Sequence, residues 1–336
     1  MMLDEASQAA DVVEAQLARN GATMRRIGER LRSREPKFVA TCARGSSDHA
    51  ATYAKYLIES RSGVLTASVA PSIHSVYRRS LQVAGGLFLV ISQSGASPDI
   101  LAVARAAREG GAYVVAIVNV TASPLADIAE DVIDVGAGRE SSVAATKSFI
   151  GSLSAVVQLV ANWQRDDELE LALGRAPALL REAWACDWSA ALAPMASAGS
   201  LFVLGRGVGL GIAQEAALKL KEVCGLHAEA YSAAEVMHGP IAIARNAFPV
   251  LVFAQRDETL SGLAELVHEL SRRDITLITA GVHHERAVNL PTVSGHPAIE
   301  PLLRVQSFYR LAVELSLRRN LDPDRPPLLT KVTATV

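Results

Sequence analysis

The sequence predicts an α/β protein built from two tandem, doubly wound parallel sheets. Three observations carry this. Apolar runs of strand length alternate with helical stretches along the chain, as in successive βαβ units. Runs such as GGLFLVISQSG (85–95) are apolar throughout and end in a polar turn, as parallel strands covered on both faces should. The two halves also echo each other at one point, Phe38-Val39…Arg44-Gly45 against Phe202-Val203…Arg206-Gly207. A length of 336 residues suits two domains of about 150 residues each.

The elements follow in order. Val12, Val13, Leu17, Met24, Ile27 and Leu31 recur at helical spacing, which predicts a helix over 6–33. KFVATCARGSS (37–47) reads as a strand entering a Gly/Ser turn, 48–59 as a helix and 64–70 as a strand. A short helix opens at Pro71. The strand of GGLFLVISQSG leads into a helix over 98–108, a strand over 112–120, an edge strand over 131–138 and a long helix over 142–164. The charged stretch 164–185 reads as a helical connector. The pattern then repeats: strand 200–207, helix 210–225, a short helix at 233–237, strand 248–255, helix 258–273, strand 275–281 and a closing helix over 297–319. The expected map is a helical segment 1–36, a first domain 37–165, a connector 166–198, a second domain 199–320 and a tail 321–336.

Composition excludes several classes. Lys+Arg 33 against Asp+Glu 35 gives a net charge of −2, without the basic excess of a nucleic-acid binder. Aromatics are 5%, too few for a base-stacking surface. No apolar run reaches the roughly 18 residues of a membrane span. The opening MMLDEASQAADVVEAQLARN has no apolar core of signal-peptide length. Cys42, Cys186 and Cys224 are widely spaced and fit neither a zinc pattern nor a disulfide scaffold. A cytoplasmic protein without metal or other cofactor is the expectation.

Two motifs carry chemistry. SQSGASPD (92–99) lies where a strand's carboxyl end turns into a helix, the place where open α/β sheets bind ligands. Hydroxyls and backbone N–H groups at a helix N-terminus suit a phosphate. Gly45-Ser46-Ser47 closes another strand and can add hydroxyls. Ser97 before Pro98 also reads as an ordinary N-cap. The matching turns of the second half, Gly205–Gly209 and FAQRDE, have no such set of hydroxyls, so only the first half should hold phosphate. The second motif is Glu215, Lys219 and Glu222 beside an apolar stripe of Ile212, Ala216, Leu220 and Val223. Periodicity alone favours a solvated salt ladder for these three. Together with His227, Glu229, Glu235 and His238 they also suit proton shuttling between carbon and oxygen.

Four strings in order, SQSGASPD, SSVAATKSF (141–149), EAALKLKEVCGLHAEAYSAAEVMHGP (215–240) and L-x-K-V-T at 329–333, resemble the tandem sugar isomerase (SIS) domain family. The resemblance is to the isomerase region of glucosamine-6-phosphate synthase and its stand-alone relatives. It implies two flavodoxin-like SIS domains with parallel sheets, and assigns roles residue by residue. Ser46, Ser47, Ser92, Gln93, Ser94 and Ser97 would hold a hexose 6-phosphate. Glu222 would move a proton between C1 and C2, and His238 would open the ring, reaching into the neighbouring subunit's site of a homodimer. Lys219 would assist at the sugar oxygens, with Glu215 orienting it. Lys331 would form a Schiff base with the ketose. Val143 matches a substrate-contacting position, whereas Ala145 replaces a family serine.

The synthase also has an amino-terminal glutaminase domain. Residue 2 here is Met and the first strand begins near residue 37, so the expectation is a stand-alone enzyme: an aldose–ketose isomerase/deaminase on an aminohexose 6-phosphate. Two alternatives remain at this point, a fructosamine-phosphate deglycase and a non-catalytic phosphosugar-binding module. No nucleic-acid or membrane partner is expected.

Overall fold

The computed structural model describes residues 1–331. The terminal part of L-x-K-V-T, Val332 and Thr333, lies outside the described residues, as do residues 334–336. The described residues form two compact units. One comprises 11–140 and 147–174; the other comprises 1–10, 141–146 and 175–331. The grouping differs from the expected map, because the first ten residues and the 141–146 segment join the second sheet's unit.

In the first-sheet unit the elements run α2 (Ala9–Arg34, following α1, Met2–Ser7), β1 (Val39–Cys42), α3 (Ser46–Ser62), β2 (Thr66–Ser68), α4 (Ser72–Ser75) and β3 (Leu87–Ser92). Then come α5 (Pro98–Glu109), β4 (Tyr113–Val118), α6 (Pro124–Ile128), β5 (Asp131–Asp134) and α7 (Lys147–Gln164). The sheet order is β2-β1-β3-β4-β5 with every pairing parallel. All six residues of β4 and the first five of β3 are buried, which is why these runs read as apolar rather than alternating. Phe88, Val90, Val114 and Ala116 pack with Ile100, Val103 and Ala107 of α5. On α2, the periodic residues Val12, Val13, Met24, Ile27 and Leu31 are all buried; Leu17 is half-buried. The helix expected from 142 starts only at Lys147.

The second-sheet unit continues from α8 (Asp167–Ala185), within which the chain leaves the first unit, through α9 (Leu192–Ala196) and β6 (Ser200–Gly205). Next come α10 (Gly209–Cys224), β7 (His227–Ser232), β8 (Phe248–Phe253), α11 (Leu260–Leu270), β9 (Ile275–Ala280), β10 (Val288–Leu290) and α12 (Glu300–Arg318). The order β10-β9-β8-β6-β7 is again all parallel. Read from its own first strand it is 2-1-3-4-5, the same winding as the first sheet, so the weak internal echo reflects a true repeat. Its core joins Phe202, Leu204, Val250 and Val252 to Leu263, Val267 and Leu270 of α11.

Two strands escape the sequence reading, β10 and β7. Residues 227–232 form the edge strand β7, in which His227 and Glu229 face outward and Ala228 inward. Polar and charged outward residues are what an edge strand needs to avoid pairing with other chains. The residues expected as a short helix at 233–237 are turns. Among the described residues no helix is long and apolar enough to cross a membrane.

Candidate active site

The strand order fixes where each sheet opens. In a 2-1-3-4-5 sheet the first and third strands are neighbours, and the connections leaving them run to opposite faces, which leaves a crevice at their carboxyl ends. In the first unit the strands flanking it are β1 and β3, and the two predicted hydroxyl turns follow those two strands. Ser46 and Ser47 open α3, with Gly45 at its N-cap at φ 54°. Ser92 ends β3, and Ser97 stands at the N-cap of α5 with Pro98 next. Two helix N-termini and five serines thus flank one switch point, with Gln93 half-buried among them.

The loop is shaped by its own serines. The Ser92 hydroxyl accepts the Gly95 N–H (3.1 Å) and the Ser94 hydroxyl accepts the Ala96 N–H (3.3 Å). An accepting hydroxyl keeps its own hydrogen for a ligand oxygen. Gly95 lies at φ +62°, and a Cβ there would meet Ser123 Oγ at 2.3 Å, so the turn requires glycine. The Ser97 hydroxyl makes no cap hydrogen bond, so the capping role that its sequence position suggests is not taken up.

An ion pair that the sequence did not single out ties the two turns together. Arg44, in the turn after β1, donates from Nε (3.1 Å) and Nη2 (2.5 Å) to Asp99 Oδ2 on α5. Asp99 is buried and its other oxygen accepts the Ile100 N–H at 2.8 Å. The only sequence signal was an acid in the first helical turn, which normally reads as dipole compensation.

The second unit has the same crevice between β6 and β8, but protein fills it. Gln255 is 1% exposed and donates to Arg206 O (2.9 Å), Asp257 Oδ2 (2.8 Å) and Thr259 Oγ1 (2.9 Å). Its Oε1 would lie 2.5 Å from a Cβ placed on Gly209. The glycine turn 205–209 therefore receives a side-chain amide, and the Asp257 carboxylate beside it opposes an anion.

The acid–base residues lie on α10 of this unit. The apolar stripe Ile212, Ala216, Leu220 and Val223 is buried as predicted. The polar stripe is buried as well: Glu215 and Lys219 are 0% exposed. It is no solvated ladder, because α10 packs against β6 and β7 and also against α12. Lys219 Nζ pairs with Glu215 Oε1 at 3.4 Å and makes a short contact with Glu222 Oε2. Tyr309 of α12 donates to the same Glu215 oxygen at 3.3 Å. The Glu222 side chain keeps 21% exposure, so it is the solvent-facing end of the triad. Burial alone would lower the Lys219 pKa, but the two carboxylates outweigh it and hold it above the ordinary lysine value.

The sequence matches the SIS domain over residues 34–162 and 195–280. The chain belongs to the SIS domain family. A glutamine–fructose-6-phosphate aminotransferase (isomerizing) from Zymomonas mobilis is 33% identical over 318 residues, 88% of this chain and 51% of that protein. The chain thus spans about half the length of the curated relatives it matches. A crystal structure of a protein assigned as a phosphosugar isomerase from Silicibacter pomeroyi superposes with a TM-score of 0.91 at 43% identity, covering 96% of this chain and 99% of that one. Glucosamine-6-phosphate deaminase from Thermotoga maritima shares the fold, with a TM-score of 0.79 at 21% identity and 99% of both chains covered.

The remaining predicted residues of this SIS protein are placed as follows. His238 is exposed on the turn before Gly239, and its N–H closes onto Glu235 O at 2.9 Å. Val143 and Ala145 are half-buried in the 141–146 segment. Lys331 is half-buried and donates to Ser142 O at 2.6 Å. The structure thus gathers the serines in the first-sheet unit, the Glu215–Lys219–Glu222 triad in the second-sheet unit, and Lys331 beside the loop that carries Val143. The buried thiols Cys42 and Cys224 are each pushed up to about 12 by desolvation, so neither is a nucleophilic thiolate at neutral pH.

Proposed function

We propose that this SIS protein is an aldose–ketose isomerase/deaminase acting on an aminohexose 6-phosphate. In this reading it converts glucosamine 6-phosphate to fructose 6-phosphate and ammonia, or runs the reverse amination. The observation that carries the reading is the buried Glu215–Lys219–Glu222 triad with one carboxylate at its solvent-facing end. A module that only bound a phosphosugar would need the serine turns but not a fully buried ammonium between two acids, an arrangement costly to desolvate. Kinship with an isomerizing aminotransferase and with a protein assigned as a phosphosugar isomerase supports the same reaction class.

In this mechanism the serine hydroxyls and the N-termini of α3 and α5 hold the 6-phosphate. His238 moves the proton that opens the ring, as a residue of the neighbouring subunit in a homodimer. Glu222 takes the proton from C2 of the open aldose and returns it to C1, leaving a ketimine at C2. Water adds to that imine carbon and ammonia departs, giving the ketose. The charged Lys219 stabilises negative charge developing on the sugar oxygens. Lys331 attacks the C2 carbonyl of the ketose and loses water to form a Schiff base. Acid–base and imine chemistry of this kind needs side chains alone.

Borohydride trapping with fructose 6-phosphate tests the reading. A reduced adduct mapped to Lys331 and lost in Lys331→Arg is expected, because arginine keeps the charge but cannot form the imine. Full activity in Lys331→Arg would refute the Schiff base. Ammonia release from glucosamine 6-phosphate, run beside a fructosamine phosphate, separates deaminase from deglycase. Release from neither, with binding of both, would mark a binding module.

A further inference from the structure

Two separated segments of the second-sheet unit meet at one carboxylate that neither the motifs nor the mechanism uses, and a third, the one bearing Lys331, joins them through Ser142. Glu5 lies on α1 and is 8% exposed. Its Oε1 accepts the Ser141 N–H at 2.5 Å, and its Oε2 accepts the Ser142 N–H at 3.0 Å together with the Ser142 hydroxyl. Ser142 is wholly buried. Its carbonyl in turn accepts the Lys331 ammonium at 2.6 Å. The helix bearing Glu5 is anchored on both sides. Gln306 of α12 donates to Ala6 O (3.0 Å), and the Met2 N–H donates to Asp324 Oδ1 (2.7 Å), seven residues before Lys331 in the same segment.

We propose that Glu5 is a positioning residue for the Lys331 amine, and through Ser142 for the adjoining Val143; the catalytic consequence rests on the Schiff-base reading above. Two backbone N–H groups and one hydroxyl converge on a single carboxylate, which fixes both the backbone and the side chain of Ser142. The direction of the Ser142 carbonyl is thereby set, and that carbonyl holds Lys331. An ionised carboxylate suits the task because it only accepts. Glutamine would turn an NH₂ toward one of the three donors. Glu5 contacts no substrate in this scheme; it acts through Ser142.

The test is Glu5→Gln, read in two independent ways. The first is the rate of acylation of Lys331 by a small amine-reactive reagent, measured by peptide mass spectrometry against the exposed Lys221. Loss of the charged acceptor should release the Ser142 carbonyl and raise the Lys331-to-Lys221 ratio roughly tenfold, the effect of losing one charge-assisted hydrogen bond. The second is catalysis: kcat should fall about tenfold with KM little changed, because the serine turns are untouched, and borohydride trapping at Lys331 should fall in parallel. Ser142→Ala keeps the carbonyl and removes one donor. It should shift the ratio in the same direction by a smaller factor, and it serves if Glu5→Gln does not fold. A raised ratio without trapping in the native protein would sink the Schiff-base reading and leave the positioning role standing. An unchanged ratio in the variant that folds, or equal rises at Lys331 and Lys221, would overturn the positioning role whatever the trapping shows.

Discussion

Ser97 stands at the N-cap of α5, yet its hydroxyl makes no cap bond, while Ser94 bonds only the loose Ala96 N–H at 3.3 Å among the contacts described above. The fold therefore asks little of Ser94. Ser94→Ala should raise KM for the sugar phosphate about tenfold, the effect of one hydrogen bond to a charged group. Its thermal midpoint should stay near that of the native protein; an unchanged KM would remove Ser94 from the phosphate site. The triad divides differently. Glu215 is wholly enclosed with Lys219 and Tyr309, so Glu215→Gln should destabilise the protein by about 3 kcal/mol, as breaking one side of a buried ion pair does. Glu222 faces solvent, so Glu222→Gln should cost about 10²–10⁴ in kcat with a much smaller change in stability. Denaturant melts beside steady-state rates check both. The raised Lys219 pKa also sets a sign. Its ammonium contributes stability fully below the unfolded lysine value of about 10.4, and that contribution is lost as pH rises through the folded value. The native alkaline limb should therefore become shallower in Lys219→Met, the part set by the buried thiols of Cys42 and Cys224 remaining.

At the scale of elements, the helix α2 is held to the edge strand β5 by charge. Asp131, at the start of β5, is buried and accepts from Arg26 (2.8 Å), Arg30 (2.5 Å) and the Tyr113 hydroxyl (2.6 Å). Burial alone would raise its pKa, but the Tyr113 hydroxyl and the two arginines hold the carboxyl below the usual range. A carboxylate with a depressed folded pKa contributes stability above its unfolded value of about 3.9 and loses it as pH falls through the folded one. Unfolding free energies measured down the acid range should fall in the native protein and stay flatter in Asp131→Asn, the two curves converging at the acid end. Parallel acid limbs would mean that Asp131 does not anchor α2. The paired crevices show the same scale at work. β1–β3 and β6–β8 have one topology, but hydroxyl turns stand at the first and Gln255 with Asp257 at the second. Topology creates the crevice, and side chains decide whether the protein itself fills it.

At the scale of the whole molecule, the proposed homodimer makes a quantitative claim. If His238 serves the neighbour's site, a Glu222→Gln chain paired with a His238→Ala chain forms one intact and one doubly disabled site. Random mixing makes about half the dimers mixed, so about a quarter of native activity should return. No return in verified mixed dimers would mean that each chain supplies its own histidine. The exposure of His238 and Ile243 around the Gly239-Pro240 turn fits a segment presented outward. Much of the repeat was legible in the sequence because parallel strands covered on both faces leave runs like LFLVIS and YVVAIV. β7 was not, since an edge strand with His227 and Glu229 outward looks like a cluster of functional side chains.

The sequence by itself determined the fold class, the order of most elements and the family, because apolar periodicity and glycine turns are local consequences of residue type. It also placed the serines at strand ends, where a hydroxyl-rich turn between a buried strand and a helix is read directly. Only the tertiary structure decided what the polar residues experience. Glu215, Lys219 and Glu222 have the spacing of a surface ladder, and nothing along α10 says otherwise; α12, nearly a hundred residues later, packs on α10 and Glu215 and Lys219 are buried. Glu5 reads as one acid among several in a polar helix, and Asp99 as a helix-end charge, until the fold brings Ser142 to the first and Arg44 to the second. Hydrophobic pattern is a property of neighbours in sequence, whereas desolvation and ion pairing depend on neighbours in space.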